Sequence, residues 1–441
     1  MRNNLNDDRD AYREIAENLA NYRVYGLGKN GEQPRPTAYR PPLYPVMLAT
    51  LDGEGLAVTP LRVAMLHWLL GLGTVWLTWI VASKMCGDIG GAGLRPPLAA
   101  ILVACDPILL HWSTYVMTET LAAFLAILAL YTLVRFNFDR RPLNAAFSGC
   151  ALGLAVLCRP TFLPWAGLCG IGLLFLQASA WRKPADTSAP TKQNVFPQFA
   201  RRLANLAAFG IVAAIVVSPW CYRNYQQFGK PIITTTHGGY TFYLANNTYF
   251  YDYLRNDKAG LPWNPSARQT LPSDEYQNEP SSFEEAEWLR KWPAYGYNTQ
   301  NSVRHFEVVI DDVLYRGAAA ELSEQPLMFA YSSLYRIAQL WSPLPHKLTA
   351  DESWKRALLR YAICAWYLAV YAAALAGVWP MRGKLLRSPW IWGVILCLVF
   401  TGVHTFYWSN LRMRAPLMPF VAIVAAAGVT FLSVAGRARR T

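Results

Sequence analysis

The stretch from Met117 to Val134 reads MTETLAAFLAILALYTLV, and beyond Glu119 it carries no charge. As a helix rising 1.5 Å per residue it covers roughly 27 Å, close to the ~30 Å of a bilayer's hydrocarbon core. Eight further stretches follow the same rule: Pro60 to Ser83, Pro96 to Trp112, Leu143 to Leu157, Thr161 to Leu176, Leu203 to Trp220, Tyr361 to Trp379, Ile391 to Tyr407 and Ala415 to Val434. Together they predict an all-α polytopic membrane protein of about nine spans. The composition agrees: 53% of the residues are hydrophobic and 16% charged, with the apolar residues gathered into runs.

The formal charge of +13 is spread over the connectors. Lys84, Arg135/Arg140/Arg141, Arg182/Lys183/Lys192/Arg201/Arg202, Arg382/Lys384/Arg387 and Arg437/Arg439/Arg440 fall in every second connector, which marks those as cytoplasmic. The alternate connectors then face outward. This divides the chain into a first non-cytoplasmic loop (1–59), an N-terminal membrane bundle (60–220), a non-cytoplasmic domain (221–360) and C-terminal membrane helices (361–441). No polar stretch interleaves aromatics with a dense basic run, which argues against a nucleic-acid partner. The eight Cys lie almost entirely within apolar runs and show no metal-binding spacing. A polar segment of almost sixty residues ahead of the first span predicts one more in-to-out helix upstream of Met1, in the plasma (inner) membrane that holds the rest.

In the first outer segment Tyr12, Ile15, Ala16 and Leu19 recur at the spacing of one helical face, with Asp8 and Asp10 ahead of them. An interfacial amphipathic helix follows, capped by one of the two aspartates, which leaves the other for chemistry. Tyr39-Arg40-Pro41-Pro42-Leu43-Tyr44-Pro45 predicts a rigid extended bend. The segment from 221 to 360 is too polar to span and is expected to form a small mixed domain.

Ionisable groups at span ends need partners or water. Arg159, Arg223, Arg412 and Arg414 all fall at the predicted outer face, where topology gives no reason for them. Each alone fits lipid-headgroup pairing, and the four together point to a phosphate site. Glu119 opens its span on the same face and suits the positive end of its helix. Asp106 stands inside a span before Pro107, and His404 near the outer end of another.

The ordered motifs resemble the polyprenyl-phosphate-dependent GT-C membrane glycosyltransferases, in particular the bacterial protein-mannosyltransferase-like and aminoarabinose-transferase-like branch. Asp8 to Leu19, Tyr39 to Pro45, Met117-Thr118-Glu119, Cys158-Arg159-Pro160-Thr161 and Ser218 to Tyr225 carry the likeness, extended by Gly239 to Asn247 and Arg412 to Pro419. The resemblance implies a GT-C-like helical bundle and an inverting transfer of a hexose or pentose from a polyprenyl-phosphate donor to a lipid, glycan or protein acceptor. It implies a catalytic carboxylate at Asp8, four positions before Tyr12, with Asp10 close by. Arg40, Arg159, Arg223, Arg412 and Arg414 become candidates for the donor phosphate, with Tyr12, Tyr39, Glu119 and His404 in support. Some related enzymes hold a divalent ion, although no ligand cluster here demands a metal. An O-antigen ligase or polymerase is the rival within enzymes, with Arg304 and His305 as its candidate pair, and a transporter the rival outside them.

Overall fold

The computed structural model describes residues 4–8, 10–28, 33–51, 58–87, 92–175, 195–256, 263, 306–347 and 352–438. Arg182, Lys183, Lys192, Arg304, His305, Arg439 and Arg440 lie outside them, so the ligase pair has no described geometry. The described chain is almost wholly helical, with two strands of two residues each.

Helix α1 (Tyr12–Tyr22) leads into β1 (Gly26–Leu27) and β2 (Arg35–Pro36), which pair antiparallel, and then into α2 (Leu43–Ala49). The apolar segments follow as α3 (Pro60–Cys86), α4 (Arg95–Ala104), α5 (Pro107–Trp112), α6 (Glu119–Phe138), α7 (Pro142–Cys158), α8 (Phe162–Phe175) and α9 (Val195–Phe228). Between the two membrane halves lie α10 (Gly238–Ala245), α11 (Thr248–Asn256), α12 (Phe306–Glu324) and α13 (Pro326–Trp341). Helices α14 (Trp354–Leu385), α15 (Ile391–Val403) and α16 (Met418–Ala438) close the chain, with a 3-10 helix at Leu411–Leu417 before the last.

Five helical segments are long and apolar enough to cross a bilayer: Pro60–Cys86, Glu119–Phe138, Phe199–Phe228, Trp354–Trp379 and Leu411–Leu432. The shorter apolar helices α4, α7, α8 and α15 occupy the remaining predicted spans. The chain is a multi-pass membrane protein of helices. The predicted span from Pro96 to Trp112 is broken in two, because Pro107 has no N–H to donate and Asp106 caps the second half. Its carboxylate accepts the Ile108 and Leu109 N–H groups at 3.0 Å and the Tyr367 hydroxyl at 2.8 Å. The bend expected over Tyr39–Pro45 is also shorter than its prolines suggest. Helix α2 starts at Leu43 with Pro45 in its first turn, where no N–H is required. Within 221–360 the regular elements among the described residues are helices, and the two described strands lie in the N-terminal segment.

Helix α6 is central: 72% of its most apolar window is buried, against 17% for the windows in α9 and α14, which turn most of their surface outward. Small residues bring the outer helices together. A Cβ on Gly149 of α7 would stand 2.2 Å from the Phe209 carbonyl oxygen of α9, and one on Gly428 of α16 only 1.9 Å from that of Ala373 on α14. The N-terminus of α6, with Glu119 on it, is thereby held in the middle of the bundle end.

Candidate active site

Four separate parts of the chain meet around Glu119. It opens α6 and is 1% exposed. Arg159, which follows the last residue of α7, donates from Nε to the Thr118 hydroxyl at 2.8 Å and brings Nη2 to 2.6 Å from Glu119 Oε1. Arg412, in the 3-10 helix before α16, places Nε 3.6 Å from the same oxygen and Nη1 3.7 Å from Asp10 Oδ2. Arg40, in the bend before α2, donates to Asp10 Oδ1 at 2.9 Å and to the Asp10 carbonyl oxygen at 2.9 Å. Among the described residues, three guanidinium groups thus converge on two carboxylates. The Arg412 guanidinium lies 5.4 Å from the Trp112 ring centroid, and that of Arg40 is 4.4 Å from the Tyr39 ring and 5.5 Å from the Tyr12 ring. The cations are therefore held by ring faces as well as by charge. Glu119 has neither oxygen in a well-directed hydrogen bond, and Arg412 Nε has none either. Directed capacity remains in a site that is already crowded with charge.

The two aspartates separate. Asp8 accepts the Arg13 N–H at 3.1 Å and the Glu14 N–H at 2.9 Å, five and six residues along. Ala11 stands between them and α1 in the left-handed region, φ 57°, where a residue with a Cβ is strained by ~1–3 kcal/mol. That turn swings Asp8 over the helix N-terminus and Asp10 away from it toward Arg40. Burial raises the Asp8 carboxyl above its ordinary value against the hydrogen bonds from Glu14 and Arg13. Burial acts upward on Asp10 as well, but the guanidinium groups of Arg40 and Arg412, with Arg159 behind them, hold it below its ordinary value. Tyr12 packs edge-on against Tyr44 at 5.3 Å, and burial pushes its phenol up to about 12.

His237 enters this site from the segment 221–360, and the sequence reading passed over it. Its ring stands edge-on to Tyr39 at 4.4 Å and stacks on Tyr240 at 4.9 Å. Burial, then Arg40 and Arg412, push its imidazole well below the ordinary histidine range against the pull of Asp10, so it is neutral at neutral pH. The backbone here is tied to α12. Glu307 accepts the Thr37 hydroxyl and the Ala38 N–H, each at 2.8 Å, as well as the Thr236 hydroxyl. Asp311 takes the Gly239 N–H at 2.6 Å, and a Cβ on Gly239 would lie 2.1 Å from the Asp311 carbonyl oxygen. The adjoining Gly239-Tyr240 pair was the signal that could have led to His237.

The other expected residues stand apart. Arg223 donates to the carbonyl oxygens of Thr37 at 2.8 Å and Tyr25 at 2.6 Å, among Tyr25, Trp220 and Phe228. Arg414 is fully buried and donates to the Leu340 and Ser342 carbonyl oxygens at 3.1 and 2.5 Å, its guanidinium 4.2 Å from the Tyr367 ring. His404 is buried, its Nδ1 3.0 Å from the Trp408 carbonyl oxygen. Among the described residues no group of three or more His, Cys, Asp or Glu is placed to hold a metal ion, and both site carboxylates face guanidinium groups.

Residues 52–228, less than half of the chain, match the family model for dolichyl-phosphate-mannose-protein mannosyltransferase. The match contains three of the resembling segments, Met117–Glu119, Cys158–Thr161 and Ser218–Tyr225; Asp10, Arg40 and Arg412 lie outside it. No curated protein matches the chain. Among solved structures, ArnT from Cupriavidus metallidurans in the apo state has a TM-score of 0.38 and 14% identity, over 97% of this chain and 74% of that one. The same protein bound to undecaprenyl phosphate has a TM-score of 0.37 and 14% identity, over the same shares.

Proposed function

We propose that this protein is an inverting membrane glycosyltransferase, taking a sugar from a polyprenyl-phosphate donor at the outer face of the membrane. The observation that carries this reading is the convergence of Arg40, Arg159 and Arg412 on Asp10 and Glu119 at the end of a membrane bundle. Such a cluster suits a group that is lipid on one side and anionic on the other. The family match over residues 52–228 supports the same class of donor.

The chemistry follows from the charges. An acceptor hydroxyl attacks the anomeric carbon while the bond from that carbon to the phosphate oxygen breaks; the hydroxyl proton passes to a carboxylate and the electron pair leaves with the lipid phosphate. Asp10 takes the proton in this reading, in place of the Asp8 that the family resemblance implies, because Asp8 is engaged by the start of α1. While paired with two arginines Asp10 is a weak base. A donor phosphate arriving on Arg40 and Arg412 exchanges for it, and the released carboxylate regains basicity beside the acceptor. Arg159, fixed between Thr118 and Glu119, stabilises the charge that grows on the departing phosphate. His237, with Tyr39 and Tyr240, forms a neutral aromatic wall suited to a sugar ring.

Purified protein in detergent or proteoliposomes is expected to consume polyprenyl-phosphate-linked sugar and release the lipid phosphate. No turnover with any hexosyl or pentosyl donor, over a panel of lipid, glycan and peptide acceptors, overturns the proposal. The sugar and acceptor that react identify the substrate.

A further inference from the structure

Two consecutive helices of the segment between the membrane halves, separated only by Gln325, have outward faces of opposite chemistry. Helix α12 exposes the polar or charged Asp312, Arg316, Ser323 and Glu324 together with Val309, Ala319 and Ala320. Helix α13 exposes Pro326, Leu327, Ala330, Tyr331, Leu334 and Ala338, an uncharged stripe at helical spacing. Leu327 is 85% and Leu334 68% exposed, the largest values on this helix for large apolar side chains. The one charge of α13, Arg336, is 1% exposed on the opposite side, where it donates to the Ala245 carbonyl oxygen at 2.5 Å, to Ser333 at 2.9 Å and to the Thr405 carbonyl oxygen.

The far face of α13 shows where this stripe sits relative to the bilayer. Trp341 at its end donates to the Thr401 hydroxyl, within the apolar helix α15, at 3.1 Å. Arg414 ties the Leu340 and Ser342 carbonyl oxygens to the start of the last span, and Phe329 meets Phe406 at 5.6 Å. The spans near it also expose large apolar side chains, among them Leu398 in α15, Phe406 just after it, and Trp354, Leu358 and Tyr361 at the start of α14.

We infer that α13 is a membrane-embedded interfacial helix: Leu327, Ala330, Tyr331, Leu334 and Ala338 lie against lipid acyl chains, while α12 stays in water. The boundary between bilayer and solvent then passes close to Gln325, between the two helices. Apolar burial of this stripe in lipid removes exposed hydrocarbon from water, and Tyr331 suits the headgroup level, where a ring has one apolar and one polar end.

Site-directed spin labelling of the full chain in lipid nanodiscs tests this. In a background with the eight native cysteines replaced, labels go on Leu327→Cys, Tyr331→Cys, Leu334→Cys and Ala338→Cys, with Asp312→Cys, Arg316→Cys and Ala320→Cys as counterparts on α12. All are outward positions, so the fold tolerates them, and an unchanged thermal transition checks that it does. The α13 sites are expected to show several-fold greater collision with molecular oxygen than with a water-soluble nickel chelate, and the α12 sites the reverse. Nickel access at α13 equal to that at α12 overturns the inference. Exclusion of both reagents from α13 also overturns it, since a protein surface, a second copy or a partner, would then cover the stripe.

Discussion

The arginines that look alike in the sequence belong to two different regions. Arg40, Arg159 and Arg412 face the carboxylates of Asp10 and Glu119, whereas Arg223 and Arg414 donate to main-chain carbonyl oxygens and lie against aromatic rings. A guanidinium paired with a carboxylate exchanges that partner readily for another anion, because its planar fork binds a pair of oxygens on a carboxylate or on a phosphate alike. One that satisfies buried carbonyl groups cannot leave them without exposing their unpaired lone pairs to an apolar interior. Position at the membrane end therefore does not define the binding set; the identity of the acceptor does.

Substitutions can break this division. The largest effect is expected at Asp10: Asp10→Asn should lower the turnover number by about 10²–10⁴, the usual contribution of a general base, with donor binding retained. Turnover near the wild-type rate would return Asp10 to a purely structural pair with Arg40. Next, Arg412→Ala and Arg159→Ala should each weaken binding of a polyprenyl phosphate about tenfold to a hundredfold, from ~1.5–3 kcal/mol per charge-assisted contact, as read by calorimetry or a lipid competition assay. Equal binding to wild type would move both residues into the structural group.

Arg223→Ala should behave differently, lowering the thermal transition of the purified protein by the loss of ~1.5–3 kcal/mol while the folded fraction binds donor with unchanged affinity. A binding defect without a stability defect would place Arg223 in the site after all. The smallest change is expected at Asp8. Asp8→Ala removes a helix cap worth ~1 kcal/mol, and Asp8→Asn, which keeps one acceptor oxygen in place of the two that take the Arg13 and Glu14 N–H groups, should leave turnover within a few-fold of wild type. Loss of activity in Asp8→Asn with intact stability would restore the role that the family resemblance implies.

Much of the architecture was legible because bilayer hydrocarbon admits few solutions. A run such as Leu121 to Val134 has to form a helix that satisfies its own backbone, and the structure places helices in all nine predicted regions. Asp106 was harder to read, since a carboxylate before a proline inside an apolar run serves equally as midplane chemistry or as a cap. Three hydrogen bonds, two from backbone and one from the distant Tyr367, decide for the cap. His237 was illegible for a related reason: it has no periodic or charged neighbours along the chain, and its meaning comes from Tyr39 and Asp10, some two hundred residues earlier.

The sequence by itself determined that this chain is a helical membrane protein, where its apolar segments fall, and that acidic and basic residues recur at their ends, because hydropathy and charge are properties of short stretches. Only the tertiary structure decided which of those residues meet. The left-handed turn at Ala11 sends Asp8 to a helix end and Asp10 to Arg40, and the packing around α6 brings Arg159 and Arg412 onto Glu119 from opposite halves of the chain. Directed ion pairs need their groups at contact distance, so they are set by contacts that no local stretch contains.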